Sequence, residues 1–148
     1  MVIYTDGATS NNGYDGARGG WAYIVLEGDK IIKEESGYVP EATNNKCELI
    51  ALINACKAIY NIWGEHIIYS DSAYCIRCWK EKWYERWERN GWKTSNKTPV
   101  ANKELWRELI PFFRNSLLKF EKVKGHSGDK WNEYVDKLAV KAKGVLNG

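Results

Sequence analysis

The chain has 148 residues, 44% of them hydrophobic and 28% charged, with a formal charge of +3. Those values fit a single soluble globular domain, residues 1–148, large enough to bury a sizeable core. No apolar run approaches the roughly 20 residues of a membrane span, which excludes a spanning helix.

Met1-Val2-Ile3-Tyr4 enters a β-prone run at once. The expectation is a cytoplasmic protein without a signal peptide or basic targeting arm. Three strands come first, at about 1–6, 19–26 and 30–39, with Asn11-Asn12-Gly13 and Gly28-Asp29 read as the turns of an antiparallel meander. Thr43, Asn44 and Asn45 open a helix over about 43–60, whose apolar stripe is Leu49, Leu52, Ile53, Cys56 and Tyr60. A strand follows at about 66–70, then a tryptophan-rich helical pattern from 72 to about 90 with Trp79, Trp83 and Trp87 on one stripe. Beyond a polar loop from Asn90 to Pro99, a helix at about 101–116 is expected to be interrupted or kinked near Pro111. A strand at about 118–124, the loop Lys124-Gly125-His126-Ser127-Gly128 and a helix to about 143 complete the order βββαβααβα. This predicts a mixed five-stranded sheet with helices packed on its faces.

Cys47, Cys56, Cys75 and Cys78 include one C-x-x-C. Zinc would need a second pair, or histidines at matching spacing, so these are read as buried thiols in a reducing interior. Charge is unevenly placed: Arg77, Lys80, Lys82, Arg86, Arg89, Lys93 and Lys97 face only Glu81, Glu85 and Glu88 between residues 76 and 97. A local basic patch points to a phosphate-rich partner more than net charge does.

Asp6 and Asp71 each close a β-prone run, Val2-Ile3-Tyr4-Thr5-Asp6 and Ile67-Ile68-Tyr69-Ser70-Asp71. Burying an unpaired carboxylate is expensive, and ligands of open α/β sheets collect at the carboxyl ends of strands. If the two strands are parallel neighbours, both acids enter one crevice and repel each other unless a cation lies between them. Each acid also has an ordinary reading. Asp6-Gly7 is a good turn dipeptide, and Asp71 or Ser72 could cap the next helix. Glu48 lies about 100° from the centre of its helix's apolar stripe, and could equally be solvated. Trp131, Tyr134, Val135, Leu138 and Ala142 define the stripe of the last helix, and Asp136 sits about 140° from its centre, on the solvent side.

The strings Tyr4-Thr5-Asp6-Gly7, Thr43-Asn44-Asn45-Lys46-Cys47-Glu48-Leu49, Ser70-Asp71-Ser72, Val123-Lys124-Gly125-His126 and Asn132-Glu133-Tyr134-Val135-Asp136-Lys137-Leu138-Ala139 occur in this order. Together they resemble type 1 ribonuclease H across essentially the whole chain. Gly91-Trp92-Lys93-Thr94 with Pro99-Val100 resembles the basic protrusion of its bacterial and animal members. The resemblance implies a sheet of order 3-2-1-4-5, three antiparallel strands then two parallel ones, with helices on both faces. It implies an endonuclease that cuts the RNA strand of RNA–DNA hybrids and leaves 3′-hydroxyl and 5′-phosphate ends. It places the metal-binding acids at Asp6, Glu48, Asp71 and Asp136, and a histidine for proton shuttling or product release at His126. An all-carboxylate set suits two Mg²⁺ ions, with Mn²⁺ able to substitute; such pairs grip a scissile phosphate from about 3.5–4 Å apart.

The same resemblance makes Asn44 and Asn45 minor-groove contacts, beside an ordinary capping role, and Asn12 a weaker contact. Where the family often has glutamine after its third acid and serine, this chain has Ala73, so substrate affinity or register is expected to differ. Arg86, Arg89 and Lys93 are expected to meet phosphates, with Trp92 beside them, while the tryptophan stripe also fits plain packing. Glu85–Arg89 attraction is expected to offset Glu81–Glu85 repulsion. The expected protein is a monomer with an RNA–DNA hybrid as partner. A reverse-transcriptase-derived domain and a non-catalytic nucleic-acid-binding module of the same fold are the alternatives. The protrusion favours the cellular enzyme, and retention of all four acids argues against the module.

Overall fold

The computed structural model describes residues 1–10, 16–123 and 129–144. Val2–Ser10 (β1), Arg18–Glu27 (β2) and Lys30–Pro40 (β3) form the antiparallel meander. β4 (His66–Ser70) joins β1 in parallel, and β5 (Leu118–Lys122) joins β4 in parallel. The sheet order is β3-β2-β1-β4-β5, as the resemblance implies. The turn at Asn11-Asn12-Gly13 lies outside the described residues.

Helix α1 (Asn44–Ile59) begins at Thr43, whose hydroxyl accepts from the Lys46 N–H at 3.1 Å. Asn44 and Asn45 therefore occupy the first turn and are not the cap. Helices α2 (Ala73–Glu81) and α3 (Trp83–Asn90) are separate: Lys82 adopts a left-handed φ of 54° between them. The tryptophan stripe is thus divided over two helices. Glu81 and Glu85 are not neighbours on one helix either, and Glu81 instead pairs with Arg77 at 3.1 Å. Helix α4 (Lys103–Phe113) runs through Pro111 and ends two residues later, so the proline falls in its last turn and does not interrupt its middle.

The main core lies between the sheet and helices α1 to α4. Trp106, Tyr23, Phe120, Leu49, Leu52 and Leu109 are among its fully buried side chains. Trp87 belongs to that core, and Trp79, Trp83 and Trp92 pack against it. All four cysteines are free and buried. On the opposite face, α5 (Lys130–Lys143) covers a smaller cluster of Ala22, Val135 and Ala139. Gly20 and the alanines let this helix approach the sheet closely: a Cβ on Gly20 would lie 2.7 Å from the Lys143 nitrogen.

Candidate active site

Residues Val2, Ile3 and Tyr4 of β1 pair in parallel with Ile67, Ile68 and Tyr69 of β4, a register that sets Asp6 level with Asp71. β4 ends at Ser70, whereas β1 continues to Ser10 along β2. Asp6 therefore stands in the middle of its strand, where the parallel neighbour stops. Gly7 is strand as well, not a turn, and its N–H donates to Asp6 Oδ1 at 2.9 Å and to Glu48 Oε1 at 2.6 Å. Such crowding requires glycine: a Cβ here would lie 2.7 Å from the Cys47 carbonyl carbon and 2.8 Å from the Glu48 nitrogen.

The second Glu48 oxygen accepts from the Ser70 hydroxyl at 3.2 Å, and Ser70 in turn accepts from the Ser72 N–H at 3.1 Å. Ser72 caps α2 by accepting from the Cys75 N–H. That leaves Asp71 exposed and without a capping role. Ligand atoms of Asp6, Glu48 and Asp71 all lie within 4.8 Å of one another.

Burial pushes Asp6 up to about 8, with further upward contributions from the Asp71 charge and from a hydrogen bond to Asp136. Glu48 is raised well above the usual carboxylate range, first by burial and then by the charges of Asp71 and Asp6. These four carboxyl groups thus form one interacting cluster, although Asp136 is outside the tight trio. Asp136 is exposed, on the solvent side of its helix as the apolar stripe predicts. Val135, Ala139 and Ala142 are the buried residues of α5, and Tyr134 points outward to donate to Glu34.

Asn44 and Asn45 are exposed beside Glu48, and the Asn44 amide oxygen accepts from the Thr9 hydroxyl of β1. Arg86 and Arg89 line the exposed side of α3, and Lys93 is exposed in the following loop. Asn90 holds that loop reciprocally, donating to the Lys93 carbonyl and accepting from the Lys93 N–H, both at 3.0 Å. Glu88 pairs with Arg114, and no salt bridge to Arg89 or Lys93 occurs among the described residues. Trp92 is half-buried, 5.7 Å from the Trp87 ring. Asn12 and His126 lie outside the described residues. The sequence pattern assigns Ser70 no role and Gly7 only a turn; a small polar residue and a glycine beside strand-borne acids are the available signals.

The RNase H family model matches residues 1–143. The chain belongs to the ribonuclease H family. It is 48% identical over 142 residues to the ribonuclease H of Syntrophomonas wolfei, covering 96% of this chain and 94% of that relative. Among solved structures it is similar to LC9-RNase H1, a type 1 RNase H with the type 2 active-site motif, with a TM-score of 0.78 and 27% identity over 97% of this chain and 72% of the other. It shares the fold of LC11-RNase H1, solved in complex with RNA/DNA hybrid, with a TM-score of 0.71, 20% identity and 99% of each chain covered. Family members are metal-dependent endonucleases, and the acid cluster of this ribonuclease H is a donor set of the matching kind.

Proposed function

We propose that this ribonuclease H cuts the RNA strand of RNA–DNA hybrids at the Asp6, Glu48, Asp71 and Asp136 cluster, with Mg²⁺ held by those carboxylates. The convergence of Asp6, Glu48 and Asp71 within 4.8 Å carries the reading. Structure without a cation makes this arrangement unfavourable, since burial and mutual repulsion already raise Asp6 and Glu48. Hard carboxylate oxygens suit Mg²⁺, and Mn²⁺ as a substitute, better than a softer metal. When bound, the ions supply electrostatic stabilisation of the phosphate and an activated water.

The chain's own groups do the positioning. Gly7 N–H aligns Asp6 and Glu48 together, and the Ser70 hydroxyl fixes the second Glu48 oxygen. Loading the site favours the ionised form of both raised acids, so it is opposed by their protonation. His126 is assigned a proton-shuttling or product-release role on the family resemblance. Asn44, Asn45 and Asn12 are placed at the sugar and base edges of the minor groove, where the 2′-hydroxyl distinguishes RNA. Arg86, Arg89 and Lys93 are placed on phosphates, with Trp92 stiffening their loop. Residues 1–148 are taken as one catalytic unit, working as a monomer in the cytoplasm.

End-labelled RNA–DNA hybrid, duplex RNA and duplex DNA, each incubated with and without Mg²⁺, test the proposal. Cutting of the ribo strand of the hybrid alone, only with Mg²⁺ and leaving 3′-hydroxyl ends, is expected. Metal-free cutting, or equal cutting of duplex RNA, would overturn it.

A further inference from the structure

Tyr4 lies two residues before Asp6 on β1 and packs against the Ala22, Val135 and Ala139 cluster beneath α5. Its hydroxyl donates to Asp129 Oδ2 at 3.1 Å. The other oxygen of the same carboxylate, Oδ1, accepts from the N–H groups of Trp131 and Asn132 at 3.0 and 3.3 Å, capping α5. One side chain therefore both starts the helix and fastens it to the strand. The Tyr4 ring stacks on Tyr69, with centroids 4.9 Å apart. Tyr69 is its register partner on β4 and stands two residues before Asp71.

Asp136 follows Asp129 by seven residues, about 10 Å along a helix axis and within about 20° of the same face. Asp6 and Glu48 are aligned directly by the Gly7 N–H. Asp136 instead rides on α5, so its place in the cluster follows the place of the helix. A cap alone would stabilise α5 without locating it; a cap shared with β1 does both.

We propose that Tyr4 and Asp129 are positioning residues, whose hydrogen bond fixes α5 along β1 and so sets where the Asp136 carboxylate stands against Asp6. This rests on the reading of Asp136 as part of the catalytic cluster. Displacing a reacting group by about 1 Å can lower a rate about a hundredfold, so a loosened helix is expected to act on turnover more than on hybrid affinity.

Tyr4→Phe keeps the stacked ring and removes the hydroxyl. Asp129→Ser keeps a good capping oxygen and removes the second one. Each is expected to lower kcat on the hybrid by about tenfold while KM stays within about twofold, and the double variant should be no slower than either single one, as for residues acting through one contact. Asp129→Asn, which can cap and still bond Tyr4, should recover most of the turnover. In the metal-free protein, hydrogen exchange in the first turn of α5 should quicken several-fold in Tyr4→Phe and Asp129→Ser alike. Near-wild-type kcat in both single variants, losses that multiply in the double variant, or a change confined to KM would overturn the proposal. Should the wild-type protein fail to cut hybrid, the assigned activity falls. The exchange measurement then decides separately: unchanged α5 exchange in both variants refutes the tie.

Discussion

Glu48 has both carboxylate oxygens engaged by the chain itself, one by the Gly7 N–H and one by the Ser70 hydroxyl. Asp6 shares the Gly7 donor. A buried acid held this firmly cannot escape its neighbours by rotating away, so protonation is the relief left to it in the metal-free protein. Asp6, raised to about 8 from a usual value near 4, gives this a sign. A carboxyl raised on folding supports the fold fully below about pH 4, and that support is lost as pH climbs through about 8. With chelator present, stability is therefore expected to fall between pH 5 and pH 8, and to fall less in Asp6→Asn. Denaturant melts of both proteins at the two pH values check this, and equal declines would contradict it. Residue by residue, the patterns point to Asp6 and Asp71 through their β-prone runs but leave a turn and a helix cap equally open, and the family resemblance favours the site. Asp136 gives no such local signal: it is exposed on α5, a helix that buries Val135, Ala139 and Ala142, and an exposed acid on a helix is ordinarily just solvated.

Close contact between elements, more than side-chain bulk, builds the cluster. Helix α1 lies on β1 at Gly7, and α5 lies on β2 at Gly20. Gly7→Ala would drive a methyl into the Cys47–Glu48 backbone, and overpacking of this kind costs about 1–3 kcal/mol. The expected result is a lower melting point together with a loss of activity greater than the loss of hybrid affinity, because Glu48 moves with α1. Equal activity per folded molecule would remove Gly7 from the site. At the protrusion, periodicity placed three tryptophans on one helix, yet Lys82 turns the chain into the left-handed region and begins a second helix. No glycine marks that break, which is why it was illegible. The tryptophans pack inward, leaving Arg86, Arg89 and Lys93 exposed. Replacing these three with alanine should flatten the dependence of hybrid affinity on log salt by about two to three units, at roughly 0.9 per phosphate contact in a B-form duplex. An unchanged slope, measured by titration at several salt concentrations, would assign the protrusion to packing alone.

Across the whole molecule, the alternating strand-like and helical runs make the element order legible, while the strand order β3-β2-β1-β4-β5 is what the family resemblance implies. What the order accomplishes is an offset: β1 outlasts β4 by several residues, opening a notch at the sheet's middle into which α1 and α5 each deliver an acid from opposite faces. No local pattern contains that offset, because it depends on where one strand ends relative to another far along the chain. The account stands on the four carboxylates acting as one ion-holding group. Calorimetric titration of Mn²⁺ into the protein at pH 7, in two buffers of different ionisation enthalpy, measures it most directly. Because Asp6 and Glu48 are raised, binding should release protons, and both the binding and the release should be greatly weakened in Asp6→Asn. Undiminished binding by that variant, or ion uptake by the wild-type protein without proton release, would contradict the account.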